Sequence, residues 1–251
     1  MSLWIWLAAP LIGLLLGLFG AGGGMLTVPV LIYGLGLPIK TAVAASLWIV
    51  ATVSLVAATQ QRAWRILEPR LLGFFGLGGL GGGALGAWIG TWIDPQIQEG
   101  LFALLLVAVA GWMSRLELPG ESSGFVCPCG LALAIGAVLG VVTGLLGVGG
   151  GFLMVPALLH LGISRMPVAI AHSLILISFN AVVSGVIYHR GIELPNSTLL
   201  TIVVLAAAGS VIGSLLLKHM STARLQRGFS IGLLLLGLAM LGKLALTMLL
   251  Q

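Results

Sequence analysis

The chain alternates long apolar runs with short polar punctuation, and two of the runs are broken by glycine. An apolar segment over about 3–19 meets "GLFGAGGGMLTVP" (17–29), and one over about 131–146 meets "GLLGVGGGFLMVP" (144–156). Glycine costs an α-helix about 1 kcal/mol per residue relative to alanine, so such a cluster predicts that the helix stops there. A short apolar piece follows each break, at 25–36 and at 152–162. Crossing the hydrocarbon takes ~20 residues, so these pieces do not span alone. The pattern predicts a half-helix, or one arm of a hairpin that dips into the membrane and returns. Three ordinary spans complete each unit: about 41–59, 71–92 and 101–114, then 168–187, 198–217 and 229–250.

The two units are one unit written twice. At an offset of 127 residues Pro29 falls on Pro156, Ser46 on Ser173, Gly82 on Gly209, Gly86 on Gly213 and Phe102 on Phe229, without a gap. An internal duplication of this extent divides the chain into a first transmembrane repeat (1–118), a polar linker (119–130) and a second transmembrane repeat (131–251). In membrane proteins such repeats are typical of secondary transporters, whose substrate site lies where the halves meet. The third span of each half carries small-xxx-small spacing, Gly82-xxx-Gly86-xxx-Gly90 and Gly209-xxx-Gly213. In lipid that spacing lets helix backbones pack closely, so these glycines are read as scaffold.

Composition fixes the class. Of 251 residues 59% are hydrophobic and 7% charged, with a mean hydropathy of +1.21. A soluble domain of this size would be left with an apolar, sticky surface. The expected fold is an all-α polytopic membrane protein, multi-pass in the plasma membrane, or in the inner membrane of a bacterium. The excess of 11 Lys+Arg over 6 Asp+Glu does not point to nucleic acid, because the basic residues sit in short loops between apolar runs. The opening "MSLWIWLAAPLIGLLLGLFG" has no basic n-region and recurs as part of the repeat, so it is expected to be retained rather than cleaved.

The same loop charges choose between topologies. If each glycine-broken hairpin returns to its own side, the second repeat is inverted. Arg62, Arg65, Arg70, Arg115, Arg165, Lys218, Arg224 and Arg227 then share one side, with Lys40, Arg190 and Lys243 on the other, 8 against 3. If the broken region makes one net crossing, the repeats are parallel and the best division is 6 against 5. The positive-inside rule prefers the inverted arrangement with residue 1 outside.

The breaks have a chemical use. Residues 20–24 and 147–151 interrupt two helices at membrane depth, where irregular backbone is tolerated only inside protein or along a wet cavity. The helix that starts after each break offers backbone N–H donors and a partial positive charge to a small anion. Two such ends, related by a pseudo-two-fold axis, are expected to converge near the midplane. On the following span Ser173, Asn180 and Ser184 share one helical face and His172 adjoins it; Ser46 is the counterpart of Ser173, and Ala45 that of His172. The acidic residues (Glu68, Asp94, Glu99, Glu117, Glu121, Glu193) all fall in or beside loops, which leaves no carboxylate for a proton relay or a cation cage. A site rich in donors and without carboxylates favours anions. Cys127 and Cys129 form a "CPC" in the linker and, without further ligands, make no closed zinc site. No metal or other cofactor is expected.

At these residues the sequence resembles a family. The twin "GxGGGxxxVP" runs, each followed by a span opening near "AVAAS" (42–46) or "AIAHS" (169–173), are similar to those of the sulfite exporter TauE/SafE family, also grouped as the toluene-sulfonate uptake permeases. The resemblance covers essentially the full length. It implies a permease, not an enzyme, for sulfite, sulfoacetate, other organosulfonates or related organic acids, with export the favoured direction. By matched motif it points to Gly22, Gly23, Gly24 and Ser46, and to Gly149, Gly150, Gly151 and Ser173. With His172 and Asn180 these form the expected substrate-binding set. The expected partners are a small anion and the bilayer, and a homo-oligomer is compatible with both. Two rivals stay open: a small-anion channel, since paired half-helices serve channels too, and an intramembrane hydrolase built on His172 and Ser173. Adjacent helical residues point about 100° apart, which disfavours the hydrolase.

Overall fold

The computed structural model describes residues 3–19, 22–115, 129–147, 151–163, 166–188, 196–217 and 220–249, and every regular element among them is helical. The first repeat contains α1 (Leu3–Phe19), α2 (Gly22–Pro29), α3 (Ile39–Gln60), α4 (Pro69–Trp92) and α5 (Pro95–Arg115). The second contains α6 (Cys129–Leu146), α7 (Gly151–His160), α8 (Met166–Tyr188), α9 (Asn196–Leu217) and α10 (Thr222–Leu249). Seven of these, α3, α4, α5, α6, α8, α9 and α10, are long and apolar enough to cross a bilayer. The chain is a multi-pass membrane protein. Cys129 opens α6 and is half-buried, while Cys127 lies outside the described residues.

Local chemistry sets most boundaries. Pro69 and Pro95 are first residues of α4 and α5, where the missing N–H costs nothing. Lys40 Nζ donates to the carbonyls of Gly90, Thr91 and Ile93 and so caps α4 at its C-terminal end. Gly147 closes α6 in the left-handed conformation at φ +68°, its N–H bonded to Thr143 O at 3.0 Å. Two segments begin earlier than hydropathy alone predicts: α5 at Pro95 rather than 101, and α10 at Thr222 rather than 229. Both added turns are polar, and a helix can run on past the hydrocarbon where its side chains meet water.

The repeats are interlocked rather than side by side. α4 packs along α6 and α1 along α9, so the fourth helix of each repeat lies on the first helix of the other. Both seams run parallel and both are built from glycine. A methyl at Gly78, Gly82 or Gly86 would overlap the carbonyl oxygens of Leu133, Ala137 and Val141 in turn, and Gly136, Gly140 and Gly144 are pressed equally close to Phe75, Gly79 and Gly83. In the other seam Gly13 and Gly17 abut Ala206 and Ser210, while Gly209 and Gly213 abut Pro10 and Leu14. The scaffold reading of Gly82, Gly86, Gly209 and Gly213 matches this close approach, and Gly90 faces the Tyr188 hydroxyl.

Repeat-related helices meet head to tail. Ser178 of α8 donates to Ala51 O of α3 at 3.1 Å, and these two positions are counterparts at the 127-residue offset. Further along, Gly185 lies against Leu47 and Trp48, so α3 and α8 cross antiparallel. The pair α5 and α10 behaves likewise: Gln226 Nε2 donates to Met113 O, Ser230 Oγ to Ala110 O, and Gly237 lies on Leu106 and Val107. A pseudo-two-fold axis across the helices accounts for both crossings. Each glycine-broken pair returns toward its starting end: α1 reaches Gln61 at the far end of α3 while Tyr33, beyond α2, meets Glu99 and Lys243 at the near end, and His160 at the end of α7 packs on Trp112 near the end of α5. Arg62, Arg65, Arg70, Arg115, Arg224 and Arg227 therefore share one end of the bundle, and Lys40 and Lys243 occupy the other.

Candidate functional site

The short helices α2 and α7 touch each other and flank the α3–α8 crossing, so the middle of the bundle is where both broken elements meet the repeat axis. Gly22, Gly23 and Gly24 form the first turn of α2, and Gly151 is the first residue of α7. Three glycines of the first run thus belong to the following helix rather than to the break. Gly149 and Gly150 lie outside the described residues.

The C-terminal ends of α1 and α6 sit at different depths. Phe19 at the end of α1 packs on Phe229, ring centroids 5.5 Å apart, while its counterpart Leu146 lies with Phe102 beside a small void. The levels of Phe229 and Phe102 differ by roughly 13 Å at the rise of an α-helix. These two ends therefore flank the centre, one toward the basic end and one away from it. The cause is the interlock: α1 and α6 each run most of the way across before breaking.

Each turn is held by side chains from the third helix of a repeat. Ser46 is fully buried and its hydroxyl lies 2.8 Å from Val43 O and 2.6 Å from Gly147 O, which ties α3 to the end of α6. Ser173, its counterpart, donates to Ile170 O at 2.8 Å. At the ends of these helices Gln61 and Tyr188 are counterparts in different chemical dress. Gln61 Nε2 donates to Gly17 O and Ser214 Oγ; the Tyr188 hydroxyl donates to Leu145 O and accepts from Gln98 Nε2. Both close the last turn of a first helix just before its break. Sequence reasoning missed them, although their alignment at the end of equivalent segments was a visible signal.

His172 is buried, and both ring nitrogens are spent within the protein. Nδ1–H donates to Val168 O at 2.8 Å and Nε2 accepts the Glu68 N–H at 2.8 Å, which fixes the neutral tautomer. The ring ties the N-terminus of α4 to α8, and it leaves no nitrogen for Ser173 Oγ.

Asn180 is different. It is 2% exposed and close to the level of the α3–α8 crossing, with Nδ2 donating to Thr143 Oγ1 at 3.2 Å. Its Oδ1 is buried against Gly83 without a hydrogen-bond partner among the described residues, a costly state it shares with Gln98 Oε1. Ser184 lies one turn on and donates to Gly83 O. Among the described residues Asn180 is also the one polar side chain bordering a cavity of ≈ 370 Å³ between α4, α7 and α8, which is otherwise walled by residues such as Gly76, Leu77, Met154 and Phe179. The described carboxylates, Glu68, Asp94 and Glu99, stand near the ends of their helices.

The sequence matches the profile of the sulfite exporter TauE/SafE family over residues 5–240. A probable membrane transporter protein of Xylella fastidiosa strain Temecula1 is 30% identical over 91% of this chain and 90% of its own. One from strain 9a5c of the same species is 28% identical over the same shares, and one from Methanocaldococcus jannaschii is 28% identical over 59% of this chain and 58% of its own. No solved structure matches. With a helical multi-pass bundle built on a duplicated, glycine-broken unit, this chain belongs to the TauE/SafE family of membrane transporters.

Proposed function

We propose that the protein exports a small sulfur-containing oxyanion, sulfite or an organosulfonate, and that the anion binds at the starts of α2 and α7, on either side of the α3–α8 crossing. The observation that carries this reading is the pair of short helices that begin on glycine at membrane depth and pack on each other. Their first N–H groups have no intrahelical partner, and they supply positive potential without placing a solvated cation in lipid. Gly22, Gly23, Gly24 and Gly151 present the backbone, and Gly149 and Gly150 belong to the same expected set; Asn180 adds an amide with spare hydrogen-bonding capacity. Ser46 holds the end of α6 and His172 the start of α4 in place around it. The basic end is cytoplasmic by the positive-inside rule, which makes the second repeat inverted with respect to the first.

With no described carboxylate in the middle of the bundle, net anion movement follows the membrane potential, worth about 2.3 kcal/mol per charge at 100 mV. Purified protein in proteoliposomes is expected to move sulfite or an organosulfonate saturably, faster outward when the interior is negative, with counter-substrate acceleration. Non-saturable conductance would make it a channel. A panel of sulfite, sulfonates, thiosulfate and small carboxylates that neither binds nor moves would remove the anion site altogether.

A further inference from the structure

One cleft in the bundle is polar and lies away from the hairpins. Between the last turn of α5 and the first turns of α10, a cavity of ≈ 330 Å³ is bounded by Ser114, Ala223, Gln226, Arg227, Ser230 and Ile231. Its floor is already satisfied: Gln226 Nε2 donates to Met113 O, Ser230 Oγ to Ala110 O, and Ser114 Oγ to Gly111 O. Arg227 is not. Its guanidinium makes no hydrogen bond or ion pair among the described residues, and it stands more than a turn inside α10 rather than in a loop. Arg224 lies one turn earlier with Nε on Ser221, and Arg115 ends α5.

The cleft continues into an apolar track. Ile231 on its wall is 58% exposed, and Leu235 and Leu238 follow it on the same face of α10, 64% and 52% exposed to the membrane. The duplication supplies an internal control. The positions equivalent to Gln226, Arg227 and Ser230 at the opposite end of the α5–α10 seam are Glu99, Gly100 and Ala103. The repeat therefore does not generate this feature by itself; the second copy has acquired it at the basic end.

We propose that this cleft binds an anionic phospholipid, its headgroup phosphate paired with Arg227 and an acyl chain laid along Ile231, Leu235 and Leu238. A guanidinium over a polar cavity that opens onto a lipid-facing stripe fits a ligand with both a phosphate and a hydrocarbon tail. A free phosphate ion would have no use for the stripe. The carboxylates nearest in sequence, Glu117 and Glu121, lie outside the described residues, and the test includes them.

The experiment uses delipidated full-length protein in a zwitterionic detergent. Phosphatidylglycerol, phosphatidylcholine and inorganic phosphate are titrated separately, with bound lipid counted by native mass spectrometry and folding followed by thermal denaturation. Phosphatidylglycerol is expected to stay bound and raise the midpoint, with phosphatidylcholine at least tenfold weaker and inorganic phosphate without effect. Arg227→Gln is expected to lose tenfold or more in phosphatidylglycerol affinity, and Ala223→Trp, which fills the cavity beside the guanidinium, is expected to do the same. Glu117→Gln and Glu121→Gln are expected to leave the affinity unchanged; a tenfold gain in either would show Arg227 already paired and overturn the proposal. Equal binding of the two lipids, wild-type affinity in a folded Arg227→Gln or Ala223→Trp protein, or an equal response to inorganic phosphate would overturn it as well.

Discussion

At the scale of single residues, the orientation of the Asn180 amide is set by its neighbour. Thr143 Oγ1 donates to Gly140 O, so it accepts from Asn180 and can do so only from Nδ2. That choice turns Oδ1 toward Gly83 and strands it. An unsatisfied buried carbonyl costs about 1–3 kcal/mol, and an apolar residue of similar volume would relieve the cost. Asn180→Leu should therefore melt at or above the wild-type temperature while transport falls at least tenfold. His172→Ala should do the reverse. It leaves the Glu68 N–H and Val168 O without their partner, and stability should drop by about 1–3 kcal/mol, with the surviving folded protein still binding substrate. Thermal denaturation read beside proteoliposome flux separates the two. An Asn180→Leu protein that transports normally would remove Asn180 from the site.

At the scale of elements, the parallel glycine seams carry the assembly. A methyl placed at Gly82 or Gly209 would meet a carbonyl of the facing helix, and rigid backbone cannot yield as a side chain end would. Overpacking of this kind costs about 1–3 kcal/mol per site. Gly82→Ala and Gly209→Ala should each lower the yield of monodisperse protein, and the double variant should be worse than either. Gly81→Ala, where nothing stands within 4 Å, should be silent. If all three behave alike, the seams are not what holds the repeats together. These seams were legible in the sequence because small-xxx-small spacing is local to one helix. The hairpin turns were only half legible. Glycine clusters announce that a helix ends nearby, yet whether Gly22–Gly24 lie in the turn or in the next helix depends on what packs around them. His172 was legible as a costly residue, but its partner is a backbone N–H 104 positions away, which no spacing rule reaches. Spacing along one helix groups Asn180, Ser173 and Ser184, whereas Thr143 and Gly83, which decide what Asn180 does, sit on other helices.

At the scale of the whole molecule, antiparallel packing of repeat-related helices and return of the hairpins place the α3–α4 loop around Arg65 and the α9–α10 turn beside Arg224 at the same end, although the two are not counterparts at the 127-residue offset. Single cysteines introduced there, in a background lacking Cys127 and Cys129, should both resist a membrane-impermeant thiol reagent in intact cells and react once the cells are opened. Labelling of one and not the other in intact cells would rule out the inverted arrangement. The interlock of the repeats also sets a timetable for biosynthesis. The face of α1 that rests on α9 is made about 190 residues before its partner, as Gly13 against Ala206 shows. At ribosomal rates of about 5–20 residues per second α1 waits on the order of ten to forty seconds. During that wait its glycine face has only lipid or the insertion machinery for company. Neither repeat can finish folding until the last third of the chain has emerged, so a nascent chain stalled before α9 should remain a substrate for membrane quality control, however well its first five helices are inserted.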